Sequence, residues 1–141
     1  MTTRMSKDER EAFLAAPRVG VVAIAEEGRG PLAVPVWYWY EEDGTLWFET
    51  QPDSRKGRLL QVGTRISLCV QSEEPPFAYV SVEGPIIDIA EDDRELHEIP
   101  MAVRYLGEEE GRAYIQSLPP SEGKRYVFRP ERWLTMDGSK G

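Results

Sequence analysis

The stretch LAVPVWYWYEEDGTLWFETQ, residues 32–51, constrains the fold more than any other part of the chain. Two apolar and aromatic runs are joined through Asp43-Gly44, a dipeptide suited to the tight turn between antiparallel strands, so a β-hairpin is predicted here. Pro35 lies inside the first run and removes one ladder donor, which assigns that stretch to a sheet edge or a bulge. Trp37, Tyr38, Trp39 and Tyr40 are consecutive, and strand side chains alternate between faces, so two must point each way. One pair is then core, and the other faces solvent, a partner subunit or a ligand.

The flanking segments extend this pattern. SKDEREAFLAAP offers Ser6 as an N-cap with Glu9 three residues later, predicting a short amphipathic helix that Pro17 stops. RVGVVAIAEE, TRISLCVQSE, FAYVSVEGPIIDIAE and KRYVFRPERWLTM are rich in β-branched and aromatic residues and read as strands, with Gly84-Pro85 marking a bend in the third. EDDRELHEIPMAVRYLG and EEEGRAYIQSLPP read as helices, separated or kinked near Pro100, with Gly107 as a C-cap. About six strands in hairpin order, with helices interposed, predict a mainly β, α+β architecture: an antiparallel barrel with peripheral helices. A chain of 141 residues suits one domain over residues 1–141, with 1–5 and 137–141 expected to be loose.

Charge narrows the partners. A formal net charge of −8 and a pI near 4.8 repel a polyanionic backbone, so no nucleic acid is expected. The N-terminus has no apolar signal region and no run approaches the roughly 18 apolar residues of a membrane span, so a cytoplasmic protein without a membrane partner is expected. Cys69 is the sole cysteine and is expected to be a small buried hydrophobe, with no internal disulfide. His97 is the sole histidine and is expected on a solvated helix, among five acidic residues between Glu91 and Glu98 that read as a solvated helix start. No metal site is expected, because a cysteine cluster, a histidine-bound zinc and a Ser-His-Asp triad all lack their parts.

Against this acidic background stands SRKGR, residues 54–58, behind the Gln51-Pro52-Asp53 turn. Ser54 is a good N-cap. Free backbone N–H groups at the turn, with Arg55 and Lys56 beside them, would hold a phosphate monoester, and Gly57 would allow its close approach. An exposed charged turn is the alternative. The knot follows directly on the hairpin that carries Pro35-Val36-Trp37, and a phosphate site within reach of a flat apolar surface suits a phosphorylated heteroaromatic cofactor.

In this order, PLAVPVWYWYEEDGTLWFET, SRKGRLL, AYVSVEGPIIDI, RYLGEEEGRAY and VFRPERWLTMD resemble the split-barrel flavin and deazaflavin oxidoreductases related to pyridoxamine phosphate oxidase. The closer likeness is to the branch that uses the deazaflavin coenzyme F420, with flavin mononucleotide (FMN) as the alternative cofactor. The resemblance implies a six-stranded split barrel in a homodimer, with two cofactor sites at the subunit interface. It implies that Ser54, Arg55 and Lys56 hold the cofactor phosphate, and that Thr50 and the Pro35-Val36-Trp37 main chain line the ring. Trp133 would approach from the partner subunit. Arg4, Lys7, Arg18 and Arg29 are the basic residues available for the acidic oligoglutamate tail of F420, and Tyr38 or Tyr79 would donate a proton to a reduced small-molecule substrate. Pyridoxamine phosphate oxidases proper carry a further basic C-terminal segment where this chain reads TMDGSKG, so vitamin B6 oxidation is not the expected activity. A non-catalytic protein that stores a flavin, a deazaflavin or haem is the reading from a different class. Four Trp and six Tyr, several of them clustered, exceed what one modest core readily hides, which independently favours a dimer.

Overall fold

The computed structural model describes residues 2–141. Eight strand segments form: β1 (Gly20–Ile24), β2 (Leu32–Val36), β3 (Trp39–Tyr40), β4 (Leu46–Thr50), β5 (Arg65–Gln71), β6 (Ala78–Glu91), β7 (Lys124–Phe128) and β8 (Arg132–Asp137). The helices are α1 (Lys7–Ala15), α2 (Arg55–Arg58), α3 (Ile99–Leu106) and α4 (Glu108–Gln116). The strands run antiparallel in the order β2-β1-β5-β6-β7-β4-β3, with β8 also paired to β6. β2 and β3 belong to one run of chain, broken at Trp37-Tyr38, yet stand at opposite ends of this path, so the sheet curls round on itself. Counting that run once, the barrel has the six strands expected of a split barrel, and β8 is laid alongside as a seventh.

β6 makes the barrel possible because it changes partners along its length. Its first half pairs with β5 and β8, and its second half pairs with β7 after a register shift between Ile86 and Asp88. This irregularity falls just past Gly84-Pro85, where the sequence suggests a bend. Gly84 itself is required by a close backbone crossing: a Cβ there would lie 1.8 Å from the Arg129 carbonyl oxygen.

Alternation assigns each face. Val34, Val22, Leu68, Val82 and Trp133 are cross-strand neighbours in one row and all point into the core. Pro35, Val21, Cys69, Ser81 and Leu134 form the adjacent row, which points outward. Cys69 is therefore exposed rather than buried, because the inward positions of β5 are taken by Ile66, Leu68 and Val70. Tyr38, Phe48, Tyr126 and Phe128 are the large aromatics of the core, at 0–2% exposure.

Ser6 caps α1 in the predicted capping box with Glu9. At the other end of α1, Arg104 donates hydrogen bonds to the carbonyls of Leu14, Ala15 and Ala16, satisfying acceptors that the stopped helix leaves open. The chain ends, expected to be loose, are joined: Asp137 N donates to Thr3 O at 2.7 Å and Lys140 Nζ to Glu9 Oε1 at 2.6 Å. Among the described residues, no helix is long and apolar enough to cross a membrane.

Candidate functional site

The Asp43-Gly44 hairpin delivers β4 to the Gln51–Ser54 turn, and α2 begins there. Ser54 Oγ accepts from Gly57 N at 3.0 Å and donates to Gln51 O at 2.7 Å, so its hydroxyl is engaged in capping the turn. Thr50 Oγ1 lies 3.3 Å from Ser54 Oγ, which brings together two of the expected phosphate and ring contacts. Gly57 is needed for a different approach from the one expected. A Cβ there would meet Gln51 O at 2.1 Å, so the glycine lets the turn fold onto its own backbone.

Of the three cations of the knot, Arg58 is exposed, and Arg55 and Lys56 differ in their surroundings. Arg55 Nη2 sits 2.5 Å from Glu26 Oε1, and this hydrogen bond draws the Glu26 carboxyl below its ordinary value. Arg29 reaches the same carboxylate at 4.0 Å. Lys56 is half-buried, its ammonium lies 6.0 Å from the Phe48 ring, and it has no carboxylate partner among the described residues. Burial lowers its pKa from the usual lysine value. A partly desolvated ammonium on the same short turn as the Thr50–Ser54 hydroxyl pair is suited to a small anion.

Pro35 is exposed and Val36 buried at the end of β2, the free edge of the sheet, where the proline cannot interrupt a further ladder. Trp37 leaves the sheet, and its ring stacks on Tyr105 at 5.0 Å and meets Tyr114 edge-on at 6.1 Å. Its indole is thus covered by α3 and α4 of its own chain. Of the consecutive aromatics, Tyr38 and Tyr40 join the main core, while Trp37 packs under these helices and Trp39 stacks on Trp47. Tyr38 cannot supply a proton to a substrate, because it is fully buried and its hydroxyl donates to Leu14 O at 2.9 Å.

Trp133 is not brought to the knot within the protomer. Its inward position on β8 packs it on the core with the Arg10 guanidinium 4.1 Å above the ring, and it lines a separate cavity with Arg4. Leu134 is the residue that β8 presents outward. The basic residues expected for an acidic tail are dispersed: Lys7 pairs with Glu11, Arg18 stacks on Phe13, and only Arg29 stands beside the knot through Glu26.

A second polar cluster was not anticipated. Glu49, Asp92 and Glu98 bring carboxylate oxygens within 4.8 Å of one another at a cavity of about 420 Å³ that Trp37, Thr50 and Tyr114 also line. All three carboxyls are pushed above their ordinary values, chiefly by burial, and Glu49 is raised further by Asp92 facing it. Glu98 closes a turn of π-helix, Arg94–Glu98, that turns its side chain inward. The run of acids is therefore not wholly a solvated helix start. His97 is part-exposed on the same π-turn: its Nδ1 accepts from Asp93 N at 2.9 Å and its ring meets Trp47 edge-on at 5.8 Å. The acidic spacing carried no period that singles out residues 92 and 98, and Glu49 joins them only through the β4–β7 pairing.

Comparison with known proteins agrees with this architecture. The family model described as pyridoxamine 5'-phosphate oxidase matches residues 6–137, and the chain belongs to that family of split-barrel proteins. Among solved structures, a conserved hypothetical protein from Mycobacterium tuberculosis is 23% identical with a TM-score of 0.76, covering 98% of this chain and 88% of that one. An F420 reductase is 20% identical with a TM-score of 0.64, covering 88% and 94%. A haem storage protein from Vibrio cholerae is 15% identical with a TM-score of 0.65, covering 96% of each chain. None of the curated proteins matches.

Proposed function

We propose that this protein is an oxidoreductase that binds coenzyme F420 at a homodimer interface and passes a hydride from its reduced form to a small organic substrate. The observation that carries the reading is Lys56, a half-buried ammonium without a counter-ion among the described residues, in the turn that Ser54 caps after β4. It fits a cofactor phosphate. The F420 reductase among the structural relatives supports the choice of deazaflavin. The bound cofactor would supply the hydride chemistry, while the protein orients it and shapes the substrate pocket.

In this reading Lys56 neutralises phosphate charge, Thr50 gives the hydroxyl closest to it, and the turn held by Ser54 and Gly57 fixes both. Arg55 joins only after releasing Glu26. The exposed edge at Pro35-Val36 offers main-chain groups to the ring.

The outward row explains why two copies would be needed. Val21 is 41% exposed and Leu134 62% exposed, and with Pro35, Cys69 and Ser81 they form a face that no layer of this chain covers. A second copy placed there buries it and meets the cofactor at the Pro35 edge.

FMN is the second reading, favoured by one observation: only Arg29, of the basic residues considered for an acidic tail, stands near the knot. FMN carries a phosphate and no such tail. A storage role remains the reading from another class, supported by the haem storage protein of the same fold. Titration of both cofactors, followed by turnover of the reduced protein with quinones and enones, separates these readings: binding without oxidation by any acceptor supports storage.

A further inference from the structure

The Glu49, Asp92 and Glu98 cluster is a neighbour of the phosphate knot. Phe48 points into the barrel core, while Glu49, the next residue on β4, lines the cavity beneath Trp37 together with Thr50 and Gln51. Glu49 sits opposite Arg125 on β7, and Asp92 follows directly where β6 ends. The cavity between sheet and helices therefore collects three carboxyl groups from three elements.

None of the three forms an ion pair among the described residues, and Glu49 Oε2 and Asp92 Oδ1 are wholly buried without a hydrogen-bond donor. Glu98, the third member, is only 9% exposed, makes no side-chain hydrogen bond among the described residues, and turns its carboxyl into the cavity. The nearest cation is diverted, since Arg125 Nε donates to Glu91 O at 2.8 Å and its guanidinium lies over the Trp47 ring at 5.1 Å. Buried carboxylates left in this state are costly unless a cation or protons compensate them. One shared proton between Glu49 and Asp92 would satisfy two oxygens and leave Glu98 alone.

We propose that Glu49, Asp92 and Glu98 form a binding site for a hard divalent cation of the calcium type. The donor set is all oxygen, as Ca²⁺ and Mg²⁺ prefer. Ca²⁺ accepts irregular, flexible shells of oxygen ligands, whereas Mg²⁺ demands near-ideal octahedral geometry, and three carboxylates brought together from separate elements suit the less demanding ion. The cavity gives room for the waters that complete six to eight ligands and provides the entry path. A bound cation would tie β4, the end of β6 and the π-turn before α3 together, and so would fix the floor on which Trp37 and the α3–α4 pair rest.

The test uses the whole protein after treatment with a chelator. Tb³⁺ luminescence excited through tryptophan, with Ca²⁺ and Mg²⁺ as competitors, reports the site directly, because Trp37 lines the cavity. The wild type should give a saturable signal that Ca²⁺ displaces at least tenfold more effectively than Mg²⁺, and Ca²⁺ should raise its melting temperature. Glu98→Gln should lose at least tenfold in Tb³⁺ affinity while melting at or above the metal-free wild type, since it removes one like charge. Asp92→Asn serves the same comparison if the first variant fails to fold, and Glu73→Gln, on an exposed loop, should bind as the wild type does. No saturable signal, equal competition by Mg²⁺, or unchanged affinity in both cluster variants would overturn the proposal. Because cofactor binding is read by a separate titration, failure here leaves the phosphate site untouched.

Discussion

Arg55 is held 2.5 Å from Glu26, whereas its neighbour Lys56 pairs with no carboxylate among the described residues. The positive knot that stands out in an acidic chain is thus partly neutralised at Arg55, and of these two neighbours Lys56 is the one left to meet an anion. Arg55→Ala should accordingly weaken cofactor binding less than Lys56→Ala. Isothermal titration of the two single variants gives the ranking.

Replacing Glu26 should act in the opposite direction. Glu26→Gln frees Arg55 and relieves Arg29, so phosphate affinity should rise several-fold, and more at low salt than at high. The cost in stability should be small, since the pair is open to solvent. Inorganic phosphate or cofactor titration at two ionic strengths measures both effects.

The pH dependence follows from Lys56. Burial depresses its pKa in the folded protein, so between that value and the ordinary 10.5 the unfolded chain binds more protons than the folded one. In this window the stability of the cofactor-free protein should gain from rising pH. Cofactor affinity should fall over the same window, because the phosphate needs the charged ammonium. Lys56→Arg, which stays charged, should flatten the affinity profile.

The Gly84 position tests the fold. With the Arg129 carbonyl 1.8 Å from any Cβ, Gly84→Ala must separate the β6 bend from the 129–131 turn, at about 3 kcal/mol. Chemical denaturation should show the loss with an unchanged slope.

Leu134→Asp tests the dimer. The residue is 62% exposed in the outward row, so the change should leave the protomer folded while giving a monomeric mass by light scattering at micromolar concentration. Cofactor affinity should fall with it. A dimer that persists in this variant would place the interface elsewhere.

Much of this architecture was legible in the sequence because local signals agreed. Asp43-Gly44 set the hairpin, Ser6 and Glu9 set the first helix, and Gly84-Pro85 set the bend. What escaped was register and distance. Whether Trp133 or Leu134 faces inward depends on how β8 pairs with β6, and a shift of one residue would exchange them. Likewise Cys69 looked apolar by its neighbours yet falls on the outward row. Glu26 and Arg55 are far apart in the chain, and the carboxyl cluster draws on three elements. Neither has a spacing signature, so their consequences for charge became visible only in three dimensions.

The most direct test of the account is a fluorescence titration of cofactor-stripped protein with F420 and with FMN, for the wild type and for Lys56→Ala. The wild type should bind F420 tightly and the variant more weakly by about 2 kcal/mol, as for a charge-assisted contact. Binding of FMN in preference to F420 would keep the site and change the chemistry. Equal affinity of wild type and Lys56→Ala for both cofactors, or binding of neither, would contradict the assignment of the knot as a phosphate site.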